Sequence, residues 1–246
     1  MQQAAERQAA LRFWDDRYRR RPASAGEAMR PSCERALAHF GDVRGKALLE
    51  IGCGIGRDTL FWAAQGAEVT AIDTSAEAVA RTLEITREAG YDNVRAVALN
   101  ALEIPSLGRF DFVYGAMILH HIEPFDGFAD ALAESLHPEG KAFFWENSAM
   151  SGLLIWCRQH LVGRFGIPKY GDPEEFPLTP QEVDLLRRRL SVEVSHPEFY
   201  FVRLVSQYLL RNCLKAQTAS VDRLLHRLAP LRRYSYQQDL LITKPR

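Results

Sequence analysis

The sequence lacks an excess of either charge and lacks paired cysteines. Its 246 residues carry 31 basic and 31 acidic side chains, so the formal net charge is +0 and no global field attracts nucleic acid. The four cysteines are scattered, and no two form a Cys-x-x-Cys pair that would signal a zinc site or a disulfide framework. We therefore predict no bound metal, no nucleic-acid partner and reduced thiols in a cytoplasmic protein.

Long hydrophobic runs are also missing. Residues 1–12 are polar and charged, without the apolar stretch of a secretory signal, so export is not expected. The longest apolar stretch, residues 199–214, contains Arg203 and Arg211 and is too short to cross about 30 Å of hydrocarbon. The sequence predicts no transmembrane segment and leaves peripheral membrane contact open.

From Lys46 onward, short apolar runs alternate with helical patterns, as they do in repeated βα units of a parallel sheet. A helix is predicted over residues 75–89, with Ser75 as its N-cap and Gly90 at its end, and others through Ala64 and over 125–136. The segment 137–140 is interpreted as a turn, and the last strand is expected to be antiparallel at the sheet edge. We predict seven strands, at residues 47–51, 68–72, 94–99, 110–114, 141–145, 192–195 and 237–242.

A glycine-rich loop follows the first predicted strand. Residues 48–56 read Leu-Leu-Glu-Ile-Gly-Cys-Gly-Ile-Gly, and a helix begins just after them. Glycines allow positive φ and let a ligand lie against bare backbone, while the helix offers free N–H groups. The second strand is followed by Asp73, whose carboxylate suits two ribose hydroxyls. A nicotinamide fingerprint would place its last glycine at the position of Arg57, which argues against a dehydrogenase.

The triplet Gly52, Gly54 and Gly56, preceded by Glu50, resembles the GxGxG motif of class I S-adenosylmethionine-dependent methyltransferases, and the resemblance covers residues 46–147. It implies a Rossmann-like α/β fold: seven mostly parallel strands, helices on both faces, an antiparallel edge strand and helical lid insertions. It also implies that S-adenosylmethionine binds and leaves as S-adenosylhomocysteine. Glu50 would organise the loop around the methionine moiety, and Asp73 would hold the ribose. The resemblance also implies contacts at Cys53 and Thr74, and it implies that Asn100 (where the family often has Asp), Ala101 and Leu102 flank the adenine.

Two further segments extend the resemblance. Residues 110–122 are similar to the corresponding part of ubiquinone- and menaquinone-biosynthesis methylases, which implies that Tyr114, Gly115 and Ala116 line the sulfonium. They lack the Asn/Asp-Pro-Pro-aromatic box of DNA amine methylases. Residues 13–18 resemble an N-terminal aromatic helix that closes over the cofactor, with Trp14 and Tyr18 on one helical face. An ordinary amphipathic helix packed on the core is the alternative.

Three side chains are candidates for proton removal from the methyl acceptor. His120 and His121 follow the fourth strand, and Glu146 follows the fifth, at the carboxyl edge where such sheets bind ligands. A neutral histidine suits this role near pH 7. The alternatives are a capping or packed histidine and a glutamate that only holds a loop.

We interpret residues 1–246 as one methyltransferase domain: an N-terminal helical cap (1–44), a cofactor-binding core (45–147) and two insertions (148–178 and 200–232). The apolar residues of the insertions indicate a hydrophobic or amphipathic acceptor, with core packing or a dimer interface as alternatives. Their interspersed arginines would recognise a carboxylate or phosphate, touch a membrane surface or simply form a solvated face. Their apolar residues are Leu153, Leu154, Ile155, Trp156, Phe165, Tyr200, Phe201, Leu204, Val205, Tyr208 and Leu209, and their arginines are Arg158, Arg164, Arg203 and Arg211.

The expected reaction is methyl transfer to a small molecule, with oxygen as the favoured acceptor atom. A nitrogen or carbon acceptor in a natural product, quinone or lipid stays open. So do a non-catalytic cofactor-binding module, an NAD-dependent oxidoreductase and a methylase of protein or RNA, the last because of the basic clusters 187–189 and 232–233.

Overall fold

The strands of the chain form one sheet, seen in a computed structural model that describes residues 14–15, 18–19, 31–164, 167, 176–208, 210 and 213–246. Within these residues the strand order is β3-β2-β1-β4-β5-β7-β6. This is the seven-stranded Rossmann-like sheet that the sequence predicts. The strands are β1 (Ala47–Ile51), β2 (Glu68–Asp73), β3 (Val94–Ala98), β4 (Phe110–Ala116), β5 (Leu136–Asn147), β6 (Ser191–Ser195) and β7 (Gln237–Thr243).

The helices connect these strands and cover both faces of the sheet. Ser75 caps its helix as predicted, because its side chain accepts a hydrogen bond from the N–H of Ala78. Short 3₁₀ turns lie at Ala101–Leu107 and Leu119–His121. The helices are α1 (Pro31–Phe40), α2 (Arg57–Ala64), α3 (Ala76–Glu88), α4 (Phe125–Ser135), α5 (Gly152–His160), α6 (Pro180–Arg187), α7 (Val202–Tyr208), α8 (Lys215–His226) and α9 (Ala229–Arg232).

The antiparallel part of the sheet is confirmed, with one change in its order. β1 pairs in parallel with β2 and β4, and β7 pairs antiparallel with both β5 and β6. The last strand therefore lies one position in from the edge, and β6 forms the edge itself. Because β6 runs parallel to β1–β5, its carboxyl end lies at the same edge of the sheet as the glycine loop.

The fifth strand begins earlier than the sequence suggests. The segment 137–140, interpreted as a turn, is an irregularity inside β5, where the register with β4 shifts between Phe110 and Phe112. The turn-forming geometry is present, since Glu139 has a φ of 63°. Pairing resumes at Lys141, so the extra residues bulge out of the ladder without ending the strand.

Two apolar cores lie on opposite faces of the sheet. On one face Phe128 and Leu132 of α4 pack with Val113 and Phe144. On the other face α1 covers a cluster that includes Trp62, Tyr114 and Phe143, each at most 1% exposed. Strands buried on both faces read as continuous apolar runs, which is why the sequence locates β1 and β4 well.

Both insertions leave the carboxyl edge of the sheet. The first contains α5, and the second contains three separate helices, α7 to α9, where the sequence shows one helical stretch. Among the described residues, no helix combines the length and hydropathy needed to cross a bilayer. Much of the predicted N-terminal cap, with Phe13 of its aromatic motif, lies outside the described residues. So do Phe165, Leu209 and Arg211 of the insertions.

Candidate functional site

The glycine loop links β1 to α2 and is held against the end of β2. The N–H groups of Gly52 and Cys53 both donate to the carbonyl of Ile72, at 2.8 and 3.0 Å. The N–H of Gly54 donates to Oδ2 of Asp73 at 3.0 Å. The loop and the predicted ribose-binding acid therefore meet at one point of the carboxyl edge.

Each glycine of the triplet is needed for a different reason. All three have positive φ, between 55° and 78°. A Cβ on Gly56 would lie 2.9 Å from the Cα of Thr82, so this glycine lets α2 approach α3. A Cβ on Gly52 would meet Ile118 at 2.8 Å, whereas one on Gly54 would meet the hydroxyl of Tyr18 at 3.3 Å. Packing within the protein therefore explains Gly52 and Gly56, whereas Gly54 is the position where bare backbone would serve a ligand.

The loop contains a thiol, Cys53, and lies next to two acids, Glu50 and Asp73. Glu50 is buried and its Oε2 accepts a hydrogen bond of 2.6 Å from the hydroxyl of Thr59, the first residue of this network that sequence reasoning missed. Burial also raises the pKa of the Cys53 thiol well above its usual value, and the nearby charges of Asp73 and Glu50 add to the effect. A neutral, buried thiol is a poor nucleophile, so a chemical role of the Cys53 side chain is not supported.

Asp73 lies in a half-buried position at the end of β2. Burial raises its pKa, although hydrogen bonds from the N–H groups of Ser75, Gly54 and Thr74 act in the opposite direction, and the charge of Asp15 raises it further. Asp15 itself accepts a hydrogen bond from the hydroxyl of Ser75. Each carboxylate oxygen of Asp73 has a second lone pair, so both can still accept from a ligand.

The described part of the N-terminal segment lies over the loop. Trp14 and Tyr18 stack with ring centroids 5.7 Å apart, and Trp14 meets the ring of His121 edge-on at 5.6 Å. The hydroxyl of Tyr18 lies next to Gly54. These contacts place the two aromatic residues where a cofactor-closing helix would have them. The closing role stays a prediction.

The residues expected at the adenine follow β3. Oδ1 of Asn100 caps the 3₁₀ turn by accepting from the N–H of Leu102 at 2.9 Å. An amide oxygen has two lone pairs, so Oδ1 can also accept a hydrogen bond from the exocyclic amine of adenine. Ala101 is buried in the core, Leu102 is half-buried beside it, and Thr74 is exposed at the end of β2.

The side chain of Tyr114 lies in the buried cluster and reaches both α1 and α2. Its hydroxyl lies 3.0 Å from the hydroxyl of Ser32 in α1 and donates to Asp58 of α2 at 3.1 Å. Burial raises its pKa well above the usual value, and the charge of Asp58 adds to this. Lining of a sulfonium by this position would therefore involve its backbone, together with Gly115 and the half-buried Ala116.

The chain turns sharply after β4, at a residue no motif points to. Met117 has a φ of 57°, unusual for a side chain other than glycine, and its N–H donates to the carbonyl of Trp145 at 2.8 Å. Such left-handed residues concentrate at functional turns. Ile118 follows, and its side chain occupies the space that a Cβ on Gly52 or on Gly115 would need.

Glu146 holds this turn from below. Its Oε1 accepts from the N–H groups of Ile118 and Leu119 at 2.7 and 2.6 Å, and its Oε2 lies 2.6 Å from Nδ1 of His120. The side chains of His120 and Glu146 are 2% and 0% exposed. The structure brings the three candidate bases together, since the ring of His121 lies 4.1 Å from that of His120. His121 also contacts Trp14, edge-on.

The site therefore has three parts at one edge of the sheet. The glycine loop is joined to Asp73, Trp14 and Tyr18 form an aromatic cover, and the turn with His120 and His121 is supported by the buried Glu146. The carboxylate and loop suit the hydroxyls and amino-acid end of a nucleoside sulfonium. Within the described residues, no group of three or more His, Cys, Asp or Glu side chains is arranged to hold a metal ion.

Comparison with known proteins finds similarity to methyltransferases. Residues 49–142 match the family model described as "Methyltransferase domain". The "Ubiquinone biosynthesis O-methyltransferase" of Bordetella avium (strain 197N) is 30% identical over 140 residues, which cover 55% of this chain and 56% of that protein. That of Burkholderia ambifaria (strain MC40-6) is 32% identical over 136 residues, 55% of this chain and 57% of that protein. The chain thus matches little more than half the length of these relatives.

Solved structures match nearly the whole chain in fold. A "putative sarcosine dimethylglycine methyltransferase" from Galdieria sulphuraria has a TM-score of 0.60 at 15% identity, covering 96% of this chain and 98% of that one. The N-methyltransferase NodS from Bradyrhizobium japonicum WM9, in complex with S-adenosyl-l-homocysteine, has a TM-score of 0.59 at 15% identity, covering 96% and 99%. Residues 49–142 of this chain are therefore similar to a methyltransferase domain, and the chain shares the fold of these two solved structures.

Proposed function

We propose that this chain is an enzyme that transfers a methyl group from S-adenosylmethionine to a small hydrophobic or amphipathic acceptor. The observation that carries the proposal is the junction of Gly54 and Asp73, joined by a hydrogen bond of 3.0 Å within a methyltransferase domain. It supplies bare backbone and a hydroxyl-binding carboxylate side by side, as the nucleoside and its amino-acid tail require.

The residues around this junction would hold the cofactor. Asp73 would accept from the ribose hydroxyls, with Thr74 at the exposed side of the same turn, and Glu50 would keep the loop in shape through Thr59. The residues 100–102 would flank the adenine, and the backbone of 114–116 would border the sulfonium. When bound, S-adenosylmethionine supplies an electrophilic methyl group. Trp14 and Tyr18 would exclude water, which makes alignment of the acceptor effective.

We assign proton removal to His121 and positioning to Glu146 and His120. Both carboxylate oxygens of Glu146 are engaged by the turn it supports, so it is poorly placed to take a proton from an acceptor. His121 lies half-buried against Trp14 and can reach an acceptor beside the aromatic cover. An imidazole held there would take the proton as the acceptor attacks the methyl carbon in line.

Oxygen is the proposed acceptor atom. The relatives of 30% and 32% identity are named as O-methyltransferases, which supports it. An acceptor of amphipathic character suits the apolar insertions at the same sheet edge. A nitrogen or carbon acceptor in a natural product, quinone or lipid is the second candidate, favoured by the NodS fold likeness at 15% identity.

The proposed partner is a small molecule, in the cytoplasm. The four cysteines are thiols in the structure, with Cys33 and Cys53 buried, as is typical of reducing compartments. A homodimer through the insertions is the alternative use of those segments, and light scattering would reveal it.

Turnover with labelled S-adenosylmethionine tests the proposal. The full chain would be offered a panel of amphipathic phenols and catechols beside matched amines, and label in the organic phase would be counted. Asp73→Asn should remove most transfer, whereas Asp92→Asn, at an exposed position after α3, should leave it unchanged. Transfer to amines alone would move the assignment to nitrogen. No transfer to any acceptor, despite tight binding of S-adenosylhomocysteine, would favour a non-catalytic module.

A further inference from the structure

Large exposed apolar side chains gather in one part of the molecule. Every described large hydrophobic residue that is clearly exposed lies in the two insertions or their flanks, and none lies on the β1–β5 core. They are Met150, Leu153, Trp156, Phe176, Val205, Leu210, Leu214, Val221, Leu224 and Leu228. Apolar surface this concentrated indicates an interaction site rather than the usual scatter of single exposed residues.

Helix α8 shows the pattern most clearly. Val221 and Leu224 lie one turn apart on α8, with Leu214 just before the helix and Leu228 two residues after its end. Leu224 is 61% exposed and Leu228 is 54% exposed, while the helix buries Thr218 and Asp222 against the protein. The helix thus buries a small polar face against the molecule and exposes Val221 and Leu224.

The sequence that contains this stripe is strongly basic. Residues 200–233 contain seven lysine and arginine residues and one acid, in a chain whose total charge is +0. The single acid, Asp222, is fully buried, caps the start of α7 through the N–H groups of Val202 and Arg203, and pairs with the Arg203 guanidinium at 3.1 Å. The exposed basic residues are Lys215, Arg223, Arg227, Arg232 and Arg233.

Helix α5 adds a second apolar element at the same edge. None of its residues is buried, and Leu153 and Trp156 are 59% and 51% exposed. Arg158 ties the helix to the start of β7 by donating to the hydroxyl of Tyr236 at 3.1 Å. The N–H of Tyr236 in turn donates to the carbonyl of Tyr200, which precedes α7. Both insertions are therefore anchored at one place.

We propose that this basic apolar surface, formed by α5 and by α7 to α9, docks on a bilayer that contains anionic lipid. Exposed leucines and tryptophan would enter the boundary between headgroups and acyl chains, while the arginines beside them meet lipid phosphates. The positive charge of the surface favours an anionic bilayer over a second copy of the chain. A second copy bound through the same surface would set arginines against arginines, because a two-fold interface pairs a patch with itself.

Nucleic acid is the weaker alternative, since phosphate contacts leave the leucine stripe exposed to water. The docking proposal does not depend on the reaction. It has one consequence if the proposed function also holds: the surface lies at the carboxyl edge, so a lipid-soluble acceptor would reach the site from the membrane.

Vesicle flotation with the full chain tests the docking. We expect the protein to float with mixed phosphatidylcholine and phosphatidylglycerol vesicles, and to stay at the bottom with phosphatidylcholine alone or at high salt. Arg223→Glu with Arg227→Glu should reduce the bound fraction more than tenfold, because each basic residue near an anionic surface contributes about fivefold. Leu224→Ser with Leu228→Ser should also abolish flotation. A control pair, Lys46→Glu with Arg87→Glu, changes the charge equally on distant exposed positions and should float like the parent.

Three outcomes would overturn the proposal. Equal flotation with neutral and anionic vesicles would contradict the role of the arginines, and flotation of the double serine variant would contradict the role of the leucines. A dimer in light scattering that dissociates in the serine variant, without flotation of the parent, would assign the surface to a second copy. A failure of methyl transfer would change none of these readouts.

Discussion

Glu146 and His120 share a hydrogen bond of 2.6 Å although neither side chain reaches solvent. The same glutamate accepts from two backbone N–H groups of the turn after β4. A buried carboxylate with this many donors is a structural support, because removing it would take this acceptor away from the N–H groups of Ile118 and Leu119. His121 follows His120 in the sequence and contacts Trp14 of the aromatic cover.

Glu146→Ala should destabilise the fold. We expect the free energy of unfolding to fall by about 3 kcal/mol, as for loss of one partner of a buried charged network. Glu146→Gln keeps one acceptor oxygen and should lose less. Urea unfolding measures both, with exposed Glu88→Ala as the control. An unchanged midpoint for Glu146→Ala together with lost turnover would give this residue a chemical role instead.

His121→Ala should affect turnover and leave the fold intact. Removal of a general base is expected to lower kcat by about 10²-fold or more. His121→Phe keeps a ring against Trp14, so it tests packing alone. If the phenylalanine variant turns over like the parent, His121 is a packing residue.

The three substitutions Gly54→Ala, Gly56→Ala and Gly90→Ala should differ in kind. All three positions have positive φ, between 55° and 81°. Gly90 has open space around its Cβ position, so its variant measures backbone strain alone, about 1 kcal/mol. Gly56→Ala also crowds the backbone of Thr82 and should lose about 3 kcal/mol by thermal or urea unfolding. Gly54→Ala should unfold like Gly90→Ala but bind S-adenosylhomocysteine much more weakly. Equal stability of the Gly56 and Gly90 variants would contradict the packing account.

Binding of S-adenosylhomocysteine should depend on pH through Asp73. The ionised carboxylate is the better acceptor for ribose hydroxyls, so affinity is full above its pKa and falls as the pH is lowered through it. Because burial and Asp15 raise that pKa, the fall should begin above the ordinary value of 3.8. Asp15→Asn removes the charge and should move the fall to lower pH. A shift to higher pH in this variant would contradict the assigned cause.

Much of the fold is readable from the sequence because the central strands are apolar and end in glycine or acid. β1 begins and ends at the predicted residues, and β2 is one residue longer than predicted because it includes Asp73. β5 is the exception, since His137 and Gly140 carry turn chemistry that the structure uses as a bulge. The order of β6 and β7 could not be read at all, because strand pairing depends on contacts far apart in the chain.

The site is less readable for a related reason. In β4, buried on both faces, apolar and aromatic residues fill each side, so the pattern does not say which way Tyr114 points. Met117 and Thr59 carry no motif of their own. The signal for Glu146 was its place at a strand end, which does not distinguish a base from a support. Only the three-dimensional contacts do.

Calorimetric titration of the full chain with S-adenosylhomocysteine, and separately with NAD, tests the central claim most directly. The account predicts a single site for S-adenosylhomocysteine, with affinity about tenfold or more weaker in Asp73→Asn, as for a lost hydrogen bond to a charged group, and no heat from NAD. Binding of NAD, or binding of S-adenosylhomocysteine that Asp73→Asn leaves unchanged, would contradict it.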